Sequence, residues 1–256
     1  MSLIKHEFPI LEIDEEKIAV IMPNRKNLYD LPSKCVFAFL GDTTQKFADI
    51  GEADKIAEFE SITKTYPIYR TTYKDEEICF CQAPCGASAA TQILDFMICY
   101  GVKNVIACGS CGALTDLNEN EIIIPVSALR DEGTSYHYIA PSREIEIDAT
   151  AVNAIKRAIK QFKLKFTECK TWTTDGFYRE TKDMVNYRKQ EGCTVVEMEC
   201  SALAACARLR EATFGQILFT ADTLANLDSH DDRDWGISSF DIAFRLALEA
   251  VYQIDK

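Results

Sequence analysis

The sequence predicts an α/β protein with a mixed or largely parallel sheet, and three observations carry that expectation. Short apolar runs of strand length, such as residues 35–40 and 216–220, alternate with longer segments that repeat apolar residues at helical spacing, such as 89–100 and 148–162. Glycine or proline stands where one kind of segment gives way to the other, as at Gly41, Pro84 and Gly101. The 256 residues can bury one substantial core and contain no internal repeat or low-complexity linker, so a single domain spanning 1–256 is expected.

Taken in order, residues 18–22 form a first strand after an acidic lead, and 35–40 form a second that ends at Gly41. Residues 64–73 alternate loosely as a third strand, and 77–82 form the next. The turn Pro84-Cys-Gly-Ala-Ser88 opens a helix over 89–100, with Ser88 available as its cap and Gly101 as its stop. Residues 104–107 make a short buried strand that feeds a glycine loop, 108–112. Backbone amides in such a loop can cradle an anion, although glycine pairs mark an ordinary tight turn equally well.

Residues 121–126 are a further strand, with Pro125 near its end, and the polar, aromatic stretch 130–138 reads as a loop near a site. A helix over 148–162 starts at Asp148 and carries lysines toward its end, which matches the helix dipole. Strand 167–173 leads into a loop, 174–179, with exposed aromatics. Strand 194–196 turns into a helix over 201–209 whose residues are nearly all small or aliphatic, as in a helix buried on most sides. Strand 216–220 is buried, the polar segment 224–235 is expected to be mobile, and Ser239 starts a closing helix that runs to about residue 252.

Composition excludes several partners. With 28 Lys and Arg against 40 Asp and Glu, the net charge of −12 opposes a nucleic-acid backbone or an anionic membrane, so an anionic substrate would need a local cationic pocket. No apolar run reaches the length of a membrane span and residues 1–8 lack a signal-peptide pattern, so a cytoplasmic location is expected. The 11 cysteines sit mostly in apolar segments, where a free thiol behaves as a small hydrophobe. Cys108-Gly-Ser-Cys111 has redox or metal spacing, but no second such pair or histidine cluster completes a tetrad, and no metal is expected.

The chemistry concentrates at Glu197-Met198-Glu199, where strand becomes helix. Carboxylates are seldom buried without partners, and strand alternation would put both glutamates on one face with Met198 between them. Solvent-facing acids at a strand end are the plain reading. Two carboxylates at the C-terminal edge of an α/β sheet, where such folds bind ligands, could instead grip a diol.

Four separated pieces together resemble the nucleoside phosphorylase superfamily over nearly the whole chain: Gly109-Ser-Cys-Gly-Ala113, Thr174-Asp-Gly-Phe-Tyr178, Val196-Glu-Met-Glu199 and Thr220-Ala-Asp222. The first looks like the bacterial purine branch, whereas residues 130–138 look more like the uridine branch. The resemblance implies a three-layer αβα sandwich around a mixed, partly barrelled sheet. It also implies cleavage of a nucleoside's N-glycosidic bond with inorganic phosphate as co-substrate and no further cofactor, giving free base and ribose 1-phosphate. Glu199 would hold the ribose hydroxyls, with Glu197 close by and Met198 against the sugar. Phe177 and Tyr178 would stack on the base, and Asp222 would protonate it as it leaves, a task that needs a raised pKa. His6 stands where the family donates a histidine from a neighbouring subunit to the sugar, so a homo-oligomer built on dimers, with a hexamer as one form, is expected. Gly109 and Ser110 would contact phosphate, with Lys64 and Arg130 as candidate cations.

The chain departs from the pattern at that anion site. Pro23-Asn-Arg-Lys-Asn27 takes the place of the family's Gly-Asp-Pro-x-x-Arg loop, and Ala107 replaces an arginine two residues before the glycine loop. A lysine offers only a point charge where arginine is bidentate. The Gln-x-Arg insertion that reads uracil is also absent, with Arg179-Glu-Thr181 in its place. Three functions are therefore carried forward: a nucleoside phosphorylase with a rebuilt phosphate site, a nucleosidase of the same fold that uses water, and a non-catalytic nucleoside-binding protein.

Overall fold

Strand β5 (Asn104–Ala113) is the strand on which the sheet divides. In the computed structural model, which describes residues 3–51 and 53–256, three strands share its two edges. Strand β1 (Lys34–Ala38) runs parallel to its first half, with Lys34 opposite Asn104 and Ala38 opposite Cys108. Beyond that point β9 (Cys193–Glu197) takes over in antiparallel sense, with Val196 opposite Gly112. Strand β10 (Thr213–Thr223) runs parallel along the other edge. Residues 105–109 are buried throughout, the unbroken apolar run expected of a strand covered on both faces.

The fork closes a barrel. From β10 the sheet passes antiparallel to β6 (Ile122–Asp131), parallel to β8 (Thr167–Thr174) and parallel to β9, which returns it to β5. On the other limb β1 pairs in parallel with β4 (Glu76–Gln82), followed antiparallel by β3 (Thr65–Tyr73) and β2 (Asp54–Glu60). The short β7 (Glu144–Glu146) hangs on β6. The result is the mixed, partly barrelled sheet that the resemblance implied.

Helices cover both faces. Helix α3 (Ala149–Gln161), capped by the Asp148 carboxylate on the amides of Thr150 and Ala151, packs beside α6 (Phe240–Tyr252). Phe47 of α1 (Thr43–Ile50) meets Phe244 of α6 on that side. Helix α2 (Ala87–Cys99) packs on α5 (Cys200–Leu209), and α4 (Lys182–Gln190) lies against β9. Adjacent residues of β10 show that α3 and α5 lie on opposite faces. A Cβ on Gly215 would stand 2.8 Å from that of Ala151 in α3, whereas Phe214 borders the same crevice as Ala204 and Ala207 in α5.

Several expected elements are corrected. Residues 18–22 form no strand, and Ile18, Val20 and Ile21 are exposed. The first strand is β1, so the loop after it begins at Gly41. Residues 1–2 of the N-terminal stretch lie outside the described residues. Ser88 is not a cap: α2 starts one residue before it, behind Gly86 at φ +98°. Residues 108–112 are not a loop but the second half of β5, and Gly109 is required there because a Cβ would come within 2.8 Å of the Phe39 Cβ. The strand expected over 121–126 continues to Asp131, since Pro125 sits at a register shift against β8 and no ladder bond is lost. Arg130 therefore belongs to a strand, not a loop. Helices α1 and α4 and strand β2 had no counterpart in the sequence reading, and their mixed polar composition explains why.

Cys108 and Cys111, three positions apart on β5, project from opposite faces and cannot bridge, and all 11 cysteines are free thiols. Among the described residues, no group of three or more His, Cys, Asp or Glu could hold a metal ion. No described helix is long and apolar enough to cross a membrane.

Because Gly215 leaves no room between β10 and α3, Gly215→Ala is expected to lower stability by about 1–3 kcal/mol through overpacking. Urea denaturation followed by far-UV circular dichroism checks this, and a midpoint unchanged from wild type would contradict the packing described.

Candidate active site

The fork in β5 opens a cavity of about 470 Å³. Its floor is Gly109, Ser110 and Gly112, from the level where β1 leaves to the level where β9 begins to pair, at Gly112. This is a switch point at the C-terminal ends of parallel strands, where open α/β sheets bind ligands. Phe39 closes one side. At Gly112 a Cβ would stand 3.1 Å from Asp222 Oδ1, so only glycine leaves that carboxylate free to face inward.

Glu197, at the end of β9, is fully engaged by the protein. Its Oε2 accepts from the amides of Glu199 and Cys200, both at 2.7 Å, and so holds the first turn of α5. Its Oε1 accepts from the hydroxyls of Thr171 at 3.2 Å and Thr173 at 2.6 Å, on the neighbouring strand β8. Burial pushes its pKa up, and these donors oppose that rise without cancelling it. The expectation that Glu197 and Glu199 share one face and one task is corrected, because Glu197 already spends its oxygens on β8 and α5.

Glu199 is also buried but reaches a different partner. Its Oε1 accepts from the Gly86 amide at 2.5 Å, at the N-terminus of α2. Burial first, and the nearby Glu197 charge second, push its pKa up to about 8. Met198, half-buried between the two acids, lines the cavity and lies 3.7 Å from the Cys85 thiol.

The opposite wall is aromatic and acidic. Asp222, near the end of β10, is 6 % exposed, and its Oδ2 lies 2.9 Å from His230 Nε2. Glu180 lines the same wall, where burial and then the Asp222 charge raise its pKa to about 7. Phe177 and Trp235 both border the cavity, with ring centroids 6.4 Å apart and planes inclined by 43°. Trp235 is carried by a short run of left-handed residues, with Arg233, Asp234 and Trp235 at φ between 46° and 54°. The 224–235 segment is tied back to the barrel by Thr223 N to Asp231 O and by the Arg233 guanidinium on Leu117 O, each 2.9 Å.

The cavity therefore brings together Gly109, Ser110, Phe177, Glu197, Met198, Glu199 and Asp222. It does not bring in the rest. Tyr178 is 92 % exposed and meets only the edge of Phe177. His6 is exposed, and its Nδ1 accepts from the Phe8 amide. Lys64 is exposed, with its ammonium 2.9 Å from Gln82 Oε1. Arg130 is buried outside the cavity and uses its guanidinium on Ser135, Ala140 and Ser142. Among the described residues, none of those lining the cavity is lysine or arginine.

The missing anion loop is also relocated. The residues after the first strand are Gly41-Asp42-Thr43-Thr44-Gln45-Lys46, not Pro23–Asn27, so the glycine is retained and the spacing of the pattern brings Lys46, exposed and outside the cavity lining, to the arginine position. Gln45 spends its amide on Asp49 and on the Tyr69 hydroxyl. The sequence reading missed Phe39, Cys85, Glu180, Gln216 and Trp235 as lining residues. Two signals were available: Glu180 directly follows the aromatic motif, and Gly41-Asp42 directly follows an apolar run.

Comparison with known proteins identifies the family and the fold. The family model described as the phosphorylase superfamily matches residues 35–254. Guanosine phosphorylase of Halorubrum lacusprofundi is 24 % identical over 216 residues, covering 79 % of this chain and 90 % of that protein. A DeoD-type purine nucleoside phosphorylase of Buchnera aphidicola is 27 % identical over 198 residues, covering 74 % of this chain and 82 % of the relative. Among solved structures, uridine phosphorylase from Vibrio fischeri superposes with a TM-score of 0.74 at 21 % identity, over 92 % of this chain and 95 % of its own. AMP nucleosidase from Bacteroides thetaiotaomicron gives 0.73 at 18 % identity, over 91 % of this chain and 95 % of its own. These two likenesses establish the shared fold.

The raised pKa of Glu199 has a stability consequence. Between the ordinary value of 4.5 and about 8 the folded protein keeps a proton that the unfolded chain has lost, so stability from this group falls as pH rises through that window. Glu199→Gln keeps an acceptor for Gly86 and removes the charge, so it is expected to stabilise the protein by roughly 3–5 kcal/mol at pH 8–9 and by little near pH 4.5. Denaturation midpoints across pH 4.5–9 check this; a difference that grew toward acid pH would refute the burial of a proton on Glu199.

Proposed function

The chain belongs to the phosphorylase superfamily, and on that premise we propose that it is a nucleosidase, cleaving the N-glycosidic bond of a purine nucleoside with water. The observation that carries this reading is the lack of a counter-charge for phosphate: Glu180, Glu197, Glu199 and Asp222 line the cavity with no lysine or arginine beside them, and any of these acids that ionises repels an anion. At an effective dielectric of 20, each unit of negative charge on a phosphate about 6 Å from one carboxylate costs roughly 3 kcal/mol. Water carries no such penalty.

In this reading the ribose lies against Met198, with its hydroxyls on Glu199. The base lies between Phe177 and Trp235, facing Asp222 and Glu180. Water forms the new bond to C1′ as the C1′–N bond breaks and its electron pair leaves with the base. The base takes a proton from the acid wall, where Glu180 is the group held protonated; the attacking water gives its proton to solvent, and solvent reprotonates Glu180 after the base leaves. The positive charge that develops on the sugar faces the carboxyl oxygens of the acids around it, which accept hydrogen bonds from its hydroxyls and carry partial negative charge toward it. A purine suits two acids on the base wall better than uracil does, because its ring nitrogen accepts a proton on leaving. His230 holds Asp222 in place through their 2.9 Å contact.

A second reading, phosphorolysis, has its own support in Ser110, exposed in the cavity beside Gly109, and in relatives named as phosphorylases. There a second copy of the chain would have to bring Lys64 to the cavity. Release of base from inosine, adenosine, guanosine and uridine, each with and without phosphate, separates the two. Hydrolysis predicts free ribose at a rate indifferent to phosphate and purines turned over well above uridine; ribose 1-phosphate as the product overturns it.

The pH dependence tests the acid wall. With Glu180 at about 7, kcat/KM is expected to fall about tenfold per pH unit on the alkaline side of that value as Glu180 loses its proton. In Glu180→Gln this limb should disappear or move by a unit or more, measured by base release between pH 5 and 9. A limb left in place would show that Glu180 is not the acid that carries the proton.

A further inference from the structure

One polar side chain on the cavity wall has no task in the chemistry above. Gln216, on β10, is 1 % exposed and lines the cavity, yet its Oε1 makes no hydrogen bond to any described residue. A buried amide left without a partner destabilises the fold, so its retention on a wall otherwise rich in apolar residues calls for a ligand. Its place narrows what that ligand is. Gln216 pairs directly with Ala107 on β5, the position where the family pattern has an arginine, and paired residues of parallel strands face the same side. Asp222 lies six residues further along β10, near Gly112. Gln216 and the acid that meets the leaving base thus occupy opposite ends of the cavity, as a displacement at C1′ requires of acceptor and leaving group.

We infer that Gln216 holds the acceptor water, its neutral amide standing beside the position of the lost arginine and selecting an uncharged acceptor over an anion. This rests on the hydrolytic reading and deepens it. With its amide turned so that Oε1 replaces Nε2 toward the cavity, Gln216 accepts a hydrogen bond from one O–H of the water, which turns an oxygen lone pair toward C1′. It takes no proton itself; the new C1′–O bond, the departing electron pair and the proton follow the balance given above. Gln216 is in this sense a positioning residue for the nucleophile, with no contact to the base.

The test is Gln216→Met, which keeps the volume and removes both polar ends. The wild-type enzyme is first assayed with inosine, adenosine and guanosine without phosphate. In the variant, hydrolysis of the best substrate is expected to fall about 100-fold, the scale of a misplaced reactant. The dissociation constant of a C-nucleoside, whose base–sugar bond water cannot break, should stay within about twofold. The melting temperature should equal or exceed that of wild type, because an unpaired buried acceptor has been removed. With methanol as a second acceptor, the ratio of methyl riboside to ribose should rise, since only water has lost its anchor.

Hydrolysis within about threefold of wild type would overturn the inference. So would a C-nucleoside constant that rises in step with the loss of rate, which would make Gln216 a sugar ligand. A melting temperature well below wild type together with an unchanged methanol ratio would make it structural. A wild-type enzyme that releases base only with phosphate sinks the hydrolytic reading itself, and is recognised before any variant is made.

Discussion

The carboxylate of Glu197 is the interaction on which the site depends. Four protein donors meet on it, two hydroxyls from β8 and two amides from the first turn of α5. One side chain thus locks two parallel strands of the barrel to a helix that starts three residues later. A buried carboxylate without such donors would cost more than the fold could tolerate. With them, it fixes the backbone at Met198 and Glu199 to within the tolerance of a helix cap. Glu199 is therefore placed by its neighbour and not by its own contacts, of which the Gly86 amide is the chief one. The N-terminus of α2 is drawn to the cavity by that same bond, so strand, two helices and acid form one rigid corner.

That corner has an electrostatic consequence. Charges of one sign gathered in a half-buried cavity raise each other's proton affinity, and both Glu199 and Glu180 show it, each with burial as the larger cause and a neighbouring acid as the next. A wall of acids that hold their protons, with no lysine or arginine in the lining, offers an anion no counter-charge. In the hydrolytic reading its carboxyl oxygens face the cation-like state of C1′ instead. Chemistry of this kind needs the carboxylates fixed in advance, because charges free to turn toward solvent would be screened at the moment they are required.

Much of the architecture was legible because periodicity and punctuation agreed. Helix α3, with Asp148 at its cap, and β3, β4 and β8 stand within a residue or two of their expected bounds. The failures have physical causes. The apolar run 18–22 has strand composition, but a strand also needs a partner, and this run pairs with no described strand. Helices α1 and α4 carry too many polar residues for an apolar stripe to stand out. At the site, Glu199, Asp222 and Phe177 were legible because they belong to short contiguous motifs. Glu180, Trp235 and Gln216 were not, because what marks them is a shared cavity wall, and Gln216 gains its meaning only from a cross-strand partner more than a hundred residues away.

The glycine segment shows why a motif alone underdetermines chemistry. Gly109-Ser-Cys-Gly112 reads as an anion-cradling loop, yet here it is strand, its amides committed largely to the ladder and its glycines present for clearance. Gly109 makes room for Phe39, and Gly112 makes room for Val196, Leu224 and Asp222. Those clearances serve the fold whichever acceptor attacks the sugar, so the segment can persist while the cations around it are lost. In the hydrolytic reading the positions that decide the acceptor are different ones: Ala107 on β5, where the family pattern has an arginine, and Gln216 beside it, both neutral, while Lys46 of α1 is exposed and outside the cavity lining. On that reading a scaffold that holds a sugar by fixed acids keeps the ability when a cation goes, and what changes is which nucleophile it can admit.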